Sequence, residues 1–297
     1  MNQGWAERDG NGHYWPGQPP SLPPAYYPTP ADPLVSPDYE GWWRRGVALA
    51  RQTWRQVLTV HLIAAVPTTA LVLPATLRFN EETAALGLVP GRALPDMTEY
   101  LRAALQLVGV SVVASLISAV AVTVSLQLVV LAATGRPVSI PVAFRVGIRR
   151  APAVIGWGLL AGFVYAGAFL ACFLPILYVA AALMVLPVIV TLERGSGIGR
   201  AFTLFHADLG TSVSRVATMF GLNLAGIIVS AVIGAVGQAV IGGSAATVGA
   251  ALLNTVAGLV IGILLTPLLV TAYADMRARR EPFSTAYLAP TPVEGHR

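Results

Sequence analysis

The residues best placed to do chemistry in this 297-residue chain lie in VLPVIVTLERGSGIGRAFTLFHADLG, which begins at Val185. An uncharged run ends at Glu193 and Arg194, Gly195, Gly197 and Gly199 follow, and Arg200 opens a basic, aromatic segment. Three chemistries suit these residue types: a glycine loop cradling phosphate, a carboxylate relaying protons, or an ion pair closing a turn. GSGIG resembles part of a dinucleotide fingerprint, but that fingerprint needs a βαβ unit with an acidic residue about 20 positions on. Here a membrane-length apolar segment follows and position 215 is Arg, so nucleotide binding is set aside. Glu193 ends an apolar helix, where the helix dipole disfavours a carboxylate, so it requires a cation. The glycines let the chain fold back and bring Arg200 within reach, with Arg149, Arg150 or the C-terminal arginines as alternatives. We read Glu193 and Arg200 as an interfacial ion pair, with a proton or ion relay as the rival.

The second polar cluster is ADMRARRE, from Ala274 to Glu281. Its spacing predicts two i,i+4 pairs, Asp275 with Arg279 and Arg277 with Glu281, on a helix leaving the bilayer. Arg280, together with Arg44, Arg45, Arg149 and Arg150, is expected to contact anionic lipid headgroups. Elsewhere the chemistry thins out. His61 stands alone in an apolar run, His206 lies in a basic helical segment, and Ser125, Ser212 and Ser214 have no neighbouring base in sequence. Gln127, Asn223, Gln238 and Asn254 suit hydrogen bonding between helices. The single Cys172 excludes an internal disulfide and is expected to pack in a helix. No catalytic, metal or cofactor site is expected, and the chain is read as non-enzymatic.

The elements that must hold these residues follow from composition. Hydrophobic residues are 55% and charged residues 11%, against about 25% charged in soluble domains. The charges leave four uncharged blocks, 56–77, 103–135, 151–192 and 216–274. A span needs about 20 residues to cross roughly 30 Å of hydrocarbon. The first two blocks hold one span each and the last two hold two each. Six spans are expected, at about 56–77, 103–134, 151–174, 176–192, 216–240 and 247–274, with breaks at Pro175 and at IGGSAA (241–246).

All 19 basic residues are Arg. They gather before the first span, after the second, after the fourth and after the last, which are the same side of a six-span chain. The opposite loops are neutral or, at 78–102, carry Glu81, Glu82, Asp96 and Glu99 against three Arg. The positive-inside rule then puts both termini in the cytoplasm. Because topology accounts for the net charge of +5, no nucleic-acid partner is expected. Residues 1–37, with nine prolines and no apolar core, read as a disordered cytoplasmic tail able to dock a protein partner. The membrane domain then covers 38–283, and 284–297 form a second disordered tail.

Three segments look alike: RGVALARQTWRQVL (45–58), VAFRVGIRRAPAVI (142–155) and RAFTLFHADLGTSV (200–213). Each places a small residue, Gly46, Ala143 or Ala201, before two apolar ones. Helical spacing predicts an apolar stripe of Ile198, Ala201, Phe202, Phe205 and Leu209 in the third, and of Trp43, Val47, Ala50 and Trp54 in the first. The expected fold is all-α: three two-span hairpins, each preceded by an amphipathic helix at the cytoplasmic interface.

LPVIVTLERGSGIGRAFTLF (185–205) and TPLLVTAYADMRARREPF (266–283) resemble the glycerophosphoryl diester phosphodiesterase membrane-domain family, over roughly residues 40–283. Glu193 and Arg200 match its first motif, and Tyr273, Asp275, Arg277, Arg279, Arg280 and Glu281 its second. Ala201 departs from the Arg-Ser start more usual there. This chain has no room for the catalytic barrel fused to some members, so the resemblance implies a bacterial membrane module and no phosphodiesterase activity. The expectation is an assembly, regulatory or lipid-interacting role in a bacterial cytoplasmic membrane. The rivals are a small-solute transporter or permease, needing a water-accessible cavity lined by Gln127, Asn223 or Asn254, and a lipid-processing enzyme, needing convergent ionisable groups.

Overall fold

Every regular element in the computed structural model, which describes residues 27–86, 97–171 and 173–288, is helical. The order is α1 (Tyr39–Ala85), α2 (Thr98–Ala133), α3 (Ile140–Ala171), α4 (Phe173–Leu183), α5 (Leu186–Leu192), α6 (Ile198–Phe205), α7 (Leu209–Val240) and α8 (Gly243–Ala278). A 3-10 turn, Thr285–Leu288, follows. Six helices are long and apolar enough to cross a membrane, with α4 and α5 forming one of them, and the protein is an all-α membrane protein. Cys172 and the Asp96 region of the 78–102 loop lie outside the described residues.

The boundaries have local causes. Asp38 caps α1, its carboxylate accepting from the Gly41 amide at 2.6 Å. Asp208 does the same for α7, accepting from the Thr211 amide at 3.1 Å. The first and second basic segments are the opening turns of α1 and α3, continuous with the spans; only the third, α6, is a separate helix. Gly46, Gly147 and Pro152 fall within 45–58 and 142–155 without ending either helix, Pro152 at an exposed position of α3. In the third copy His206, Ala207 and Asp208 break the helix. α3 ends at Ala171 and α4 begins at Phe173, so Pro175 lies in the first turn of α4, and the α7–α8 turn uses Gly242 and Gly243 at φ +69° and +61°.

By internal contacts the chain divides into two units. The first comprises Met1–Val57, Val122–Gly221 and Ile263–Arg297, and the second Leu58–Ala121 and Leu222–Gly262. The first has a true interior, with Leu126, Leu128, Ile189, Leu204, Leu268 and Tyr273 all but inaccessible. Its helices approach closely where side chains are small: a Cβ on Gly46 would strike Leu268, and one on Gly147 would meet Val124. Gly46, Ala143 and Ala201, the small residues of the threefold pattern, are each buried. In the second unit Ile63, Val66, Leu105, Ile227 and Val232 are exposed, which costs nothing where lipid is the solvent.

The apolar stripes match the expected ones in part: Ala50, Ala201 and Phe205 are buried, while other members are displaced. In α1 the protein-facing side is Trp42, Gly46, Leu49, Thr53 and Val57, while Trp43 and Val47 are half-buried and Trp54 is exposed. In the third segment Leu204 is buried and Leu209 is 50% exposed. An interfacial helix has two apolar partners, protein and lipid, so hydropathy alone does not tell which partner takes which stripe.

Residues 27–38 and 284–288 also differ from the expected tails. Leu34 and Val35 are buried, and Asp32 binds Thr285 through both the Thr285 amide (2.8 Å) and its hydroxyl (2.6 Å). Arg45 holds the same strap by donating to the Asp32 and Pro30 carbonyls at 2.7 and 2.9 Å. Two apolar side chains and an aspartate answering a backbone amide are enough to order a short proline-rich segment. The remaining tail residues, 1–26 and 289–297, lie outside the described residues.

Candidate functional site

The charged residues of the first unit gather around the end of α8. Residues 273, 277 and 281 recur every four positions on one face, while 275 and 279 share a face about 200° away. The helix therefore grips two separate networks.

On the first face Glu193 is the central acceptor. Its Oε1 accepts from the Tyr273 hydroxyl at 2.7 Å and its Oε2 from Arg200 Nε at 3.0 Å. Arg200 also reaches Glu281 at 2.7 Å, and Arg277 donates to Glu281 at 2.5 Å and to the Tyr273 oxygen at 2.8 Å. Arg277 lies 3.6 Å from Glu193 and its guanidinium faces the rings of Phe283 and Tyr287 at 4.5 and 4.8 Å. Two acids, two arginines and a phenol thus close a ring in which each formal charge faces an opposite one. Burial works against ionisation of Glu193, but the Tyr273 and Arg200 hydrogen bonds and the nearby Arg277 charge outweigh it and hold the carboxyl below its usual range.

On the second face the expected pairing changes. Asp275 takes Arg215 at 2.8 Å, not Arg279, and both side chains are almost wholly buried (0% and 2% exposed). Asp275 also accepts from the Ser36 amide at 2.6 Å, while Arg215 donates to the Thr211 and Asp38 carbonyls at 3.3 and 3.2 Å. Arg279 reaches Asp208 at 2.6 Å and the Pro37 carbonyl at 3.2 Å. Intrahelical spacing offered Asp275 and Arg279 to each other, but a buried carboxylate gains more from a partner that is itself desolvated. Asp208 sits below the usual carboxylate range: its partial burial raises it, and the Thr211 hydrogen bonds and the Arg279 charge more than compensate.

Both Glu193–Arg200 and Arg277–Glu281 form as the spacing predicts. The headgroup residues separate. Arg149 and Arg280 are exposed and Arg150 is half-buried, as a lipid contact requires. Arg44 is exposed beside Glu40 at 3.7 Å. Arg45 is committed to the N-terminal strap, which removes it from that set. Arg215, Asp208, Asp32 and Thr285 were not expected here. The Asp208-Leu209-Gly210-Thr211 run is a legible helix cap, but nothing in sequence ties Arg215 to a residue 60 positions on.

Glu193, Asp208, Asp275 and Glu281 each bind a cation, and no three His, Cys, Asp or Glu converge among the described residues. Ser214 donates to the Thr211 carbonyl, and the buried Ser125 and Ser212 hydroxyls have no hydrogen-bond partner among the described residues, so none of these three is coupled to a base. His206 bonds Tyr178 at 3.1 Å, and His61 packs beside Gly262. Compared with models of known protein families, with curated proteins and with solved structures, the chain matches none.

Proposed function

We propose that this protein is a non-enzymatic module of a bacterial cytoplasmic membrane, with both termini cytoplasmic, that engages anionic lipid headgroups in an assembly or regulatory role. The observation that carries the reading is the division of its arginines. Arg45, Arg200, Arg215, Arg277 and Arg279 are committed within the protein. Arg51, Arg136, Arg145, Arg149, Arg194 and Arg280 are exposed and make no ion pair among the described residues. A guanidinium at a membrane surface attracts anionic lipid by about 1 kcal/mol each. The likeness of the 185–205 and 266–283 motifs to the glycerophosphoryl diester phosphodiesterase membrane-domain family favours the same module. A protein partner docking on the Pro/Tyr tail belongs to this proposal and would use residues ahead of Tyr27.

The test is lipid retention. The full chain, reconstituted with equal phosphatidylglycerol and phosphatidylcholine and examined by native mass spectrometry, should retain the anionic lipid. Replacing Arg149 and Arg280 with Gln together should weaken retention by roughly tenfold or more. Equal retention of both lipids by the unaltered chain would end the proposal.

A permease is the second reading, favoured by a cavity of about 520 Å³ in the second unit that is lined in part by Asn254. Substrate uptake into vesicles holding the protein, lost in Asn254→Leu, would favour it.

A further inference from the structure

Within the second unit, the face of α1 that runs from Thr68 to Asn80 meets α7 and α8 around the 520 Å³ cavity, and a neighbouring cavity of about 460 Å³ shares Asn80, Gln238 and Thr247. Both volumes fall in the range of ligand pockets, roughly 300–1,000 Å³. Most hydroxyl hydrogens of the polar wall are already spent on the helix backbone. Thr68, Thr76, Thr247 and Thr255 donate to backbone carbonyls one turn back, those of Ala64, Val72, Gly243 and Ala251. Thr255 having donated, the Thr69–Thr255 contact at 3.3 Å must use the Thr69 hydrogen. Five hydroxyls therefore present only lone pairs. The carboxamides of Asn80 and Asn254, which make no hydrogen bond among the described residues, add donors and acceptors, while the Gln238 amide donates to Thr247.

Among the described residues no arginine lines either cavity, and the one ionisable side chain is Glu81, in the second. An acceptor-rich, cation-free wall repels phosphates and carboxylates, and burying a cation in the first cavity would leave it without a countercharge. A group that is uncharged, with many O–H donors to meet the threonines and oxygens to meet the asparagines, satisfies both walls. We propose that this cavity binds an uncharged, hydroxyl-rich group, a sugar or other polyol, carried either by a glycolipid headgroup or by a free solute. The inference concerns binding alone and is independent of the exposed arginines, none of which it uses.

The full chain, purified in a sugar-free detergent and placed in phosphatidylcholine nanodiscs, is offered monoglucosyl diacylglycerol in one arm and free glucose in the other. Native mass spectrometry reads lipid retention, with diacylglycerol as the control that lacks only the sugar, and calorimetry reads the free sugar. One arm should show sugar-dependent binding, and Asn254→Leu with Thr255→Val should weaken it roughly tenfold, as expected for losing one or two hydrogen bonds. Ala250→Leu, which fills the cavity and leaves every polar group in place, should weaken it as well, so a misfolded asparagine variant does not shelter the idea. Retention of glycolipid alone identifies a headgroup site, and binding of glucose alone a solute site. No sugar-dependent binding in either arm, binding unchanged in Ala250→Leu, or equal competition by phosphatidylglycerol overturns the proposal.

Discussion

Asp275→Asn should be among the most damaging single substitutions this protein can carry. Asn is nearly isosteric and keeps an acceptor for the Ser36 amide, so packing changes little. What changes is charge: Arg215, 2% exposed, loses its one ion-pair partner among the described residues and keeps the Thr211 and Asp38 carbonyls and the Trp42 ring 5.7 Å away, none of which carries a negative charge. An uncompensated buried cation costs about 3–5 kcal/mol, a shift of more than 100-fold in the folding equilibrium. Arg215→Met alone strands the carboxylate in the same way and should cost a similar amount. The double variant Arg215→Met, Asp275→Asn removes both charges, so its cost should fall below the sum of the singles by about 2 kcal/mol or more. Reversible unfolding in mixed micelles, followed by tryptophan fluorescence, measures all four states. Asp275→Asn costing less than about 1 kcal/mol, or additive singles, would refute the claim that this pair is buried and mutually compensating.

Other outcomes follow from the same geometry. Glu193 has a depressed folded pKa, so its stabilisation is full above the ordinary carboxylate range and is lost as pH falls through the folded value; Glu193→Gln should flatten the acid limb of a stability profile below the ordinary carboxylate range and lower folded yield at neutral pH. Equal yield with lost transport would instead revive the relay reading. A Cβ on Gly197 would enter the ring of Trp157, so Gly197→Ala should destabilise by about 1–3 kcal/mol, with partial recovery in Trp157→Leu, measured by melting temperature. Thr285→Val removes a hydroxyl bond to Asp32, and limited proteolysis should then cut the 27–38 strap faster than in the unaltered chain; unchanged cleavage would mean that Arg45 and the buried Leu34 suffice to hold it.

Much of the fold was legible because the solvent is the bilayer. Hydrocarbon demands about 20 uncharged residues per crossing, so charge spacing alone marks six spans. Short-range electrostatics were legible for a similar reason: Arg277 and Glu281 lie one helical turn apart, and glycines at 195, 197 and 199 leave Glu193 and Arg200 few other partners. The same rule misjudged Asp275 and Arg279, because their true partners, Arg215 and Asp208, come from α7 and its cap. The strap at 27–38 was missed because its order depends on Asp32 meeting Thr285, 253 positions away.

The sequence by itself determined which segments lie in lipid, since transfer from water is a property of each segment alone. Only the tertiary structure decided which arginines are bound and which are free, which face of α1 meets protein, and that threonines from α1 and α8 would line one cavity. Those outcomes depend on which side chains are desolvated together, and desolvation is shared between neighbours that the order of residues does not name.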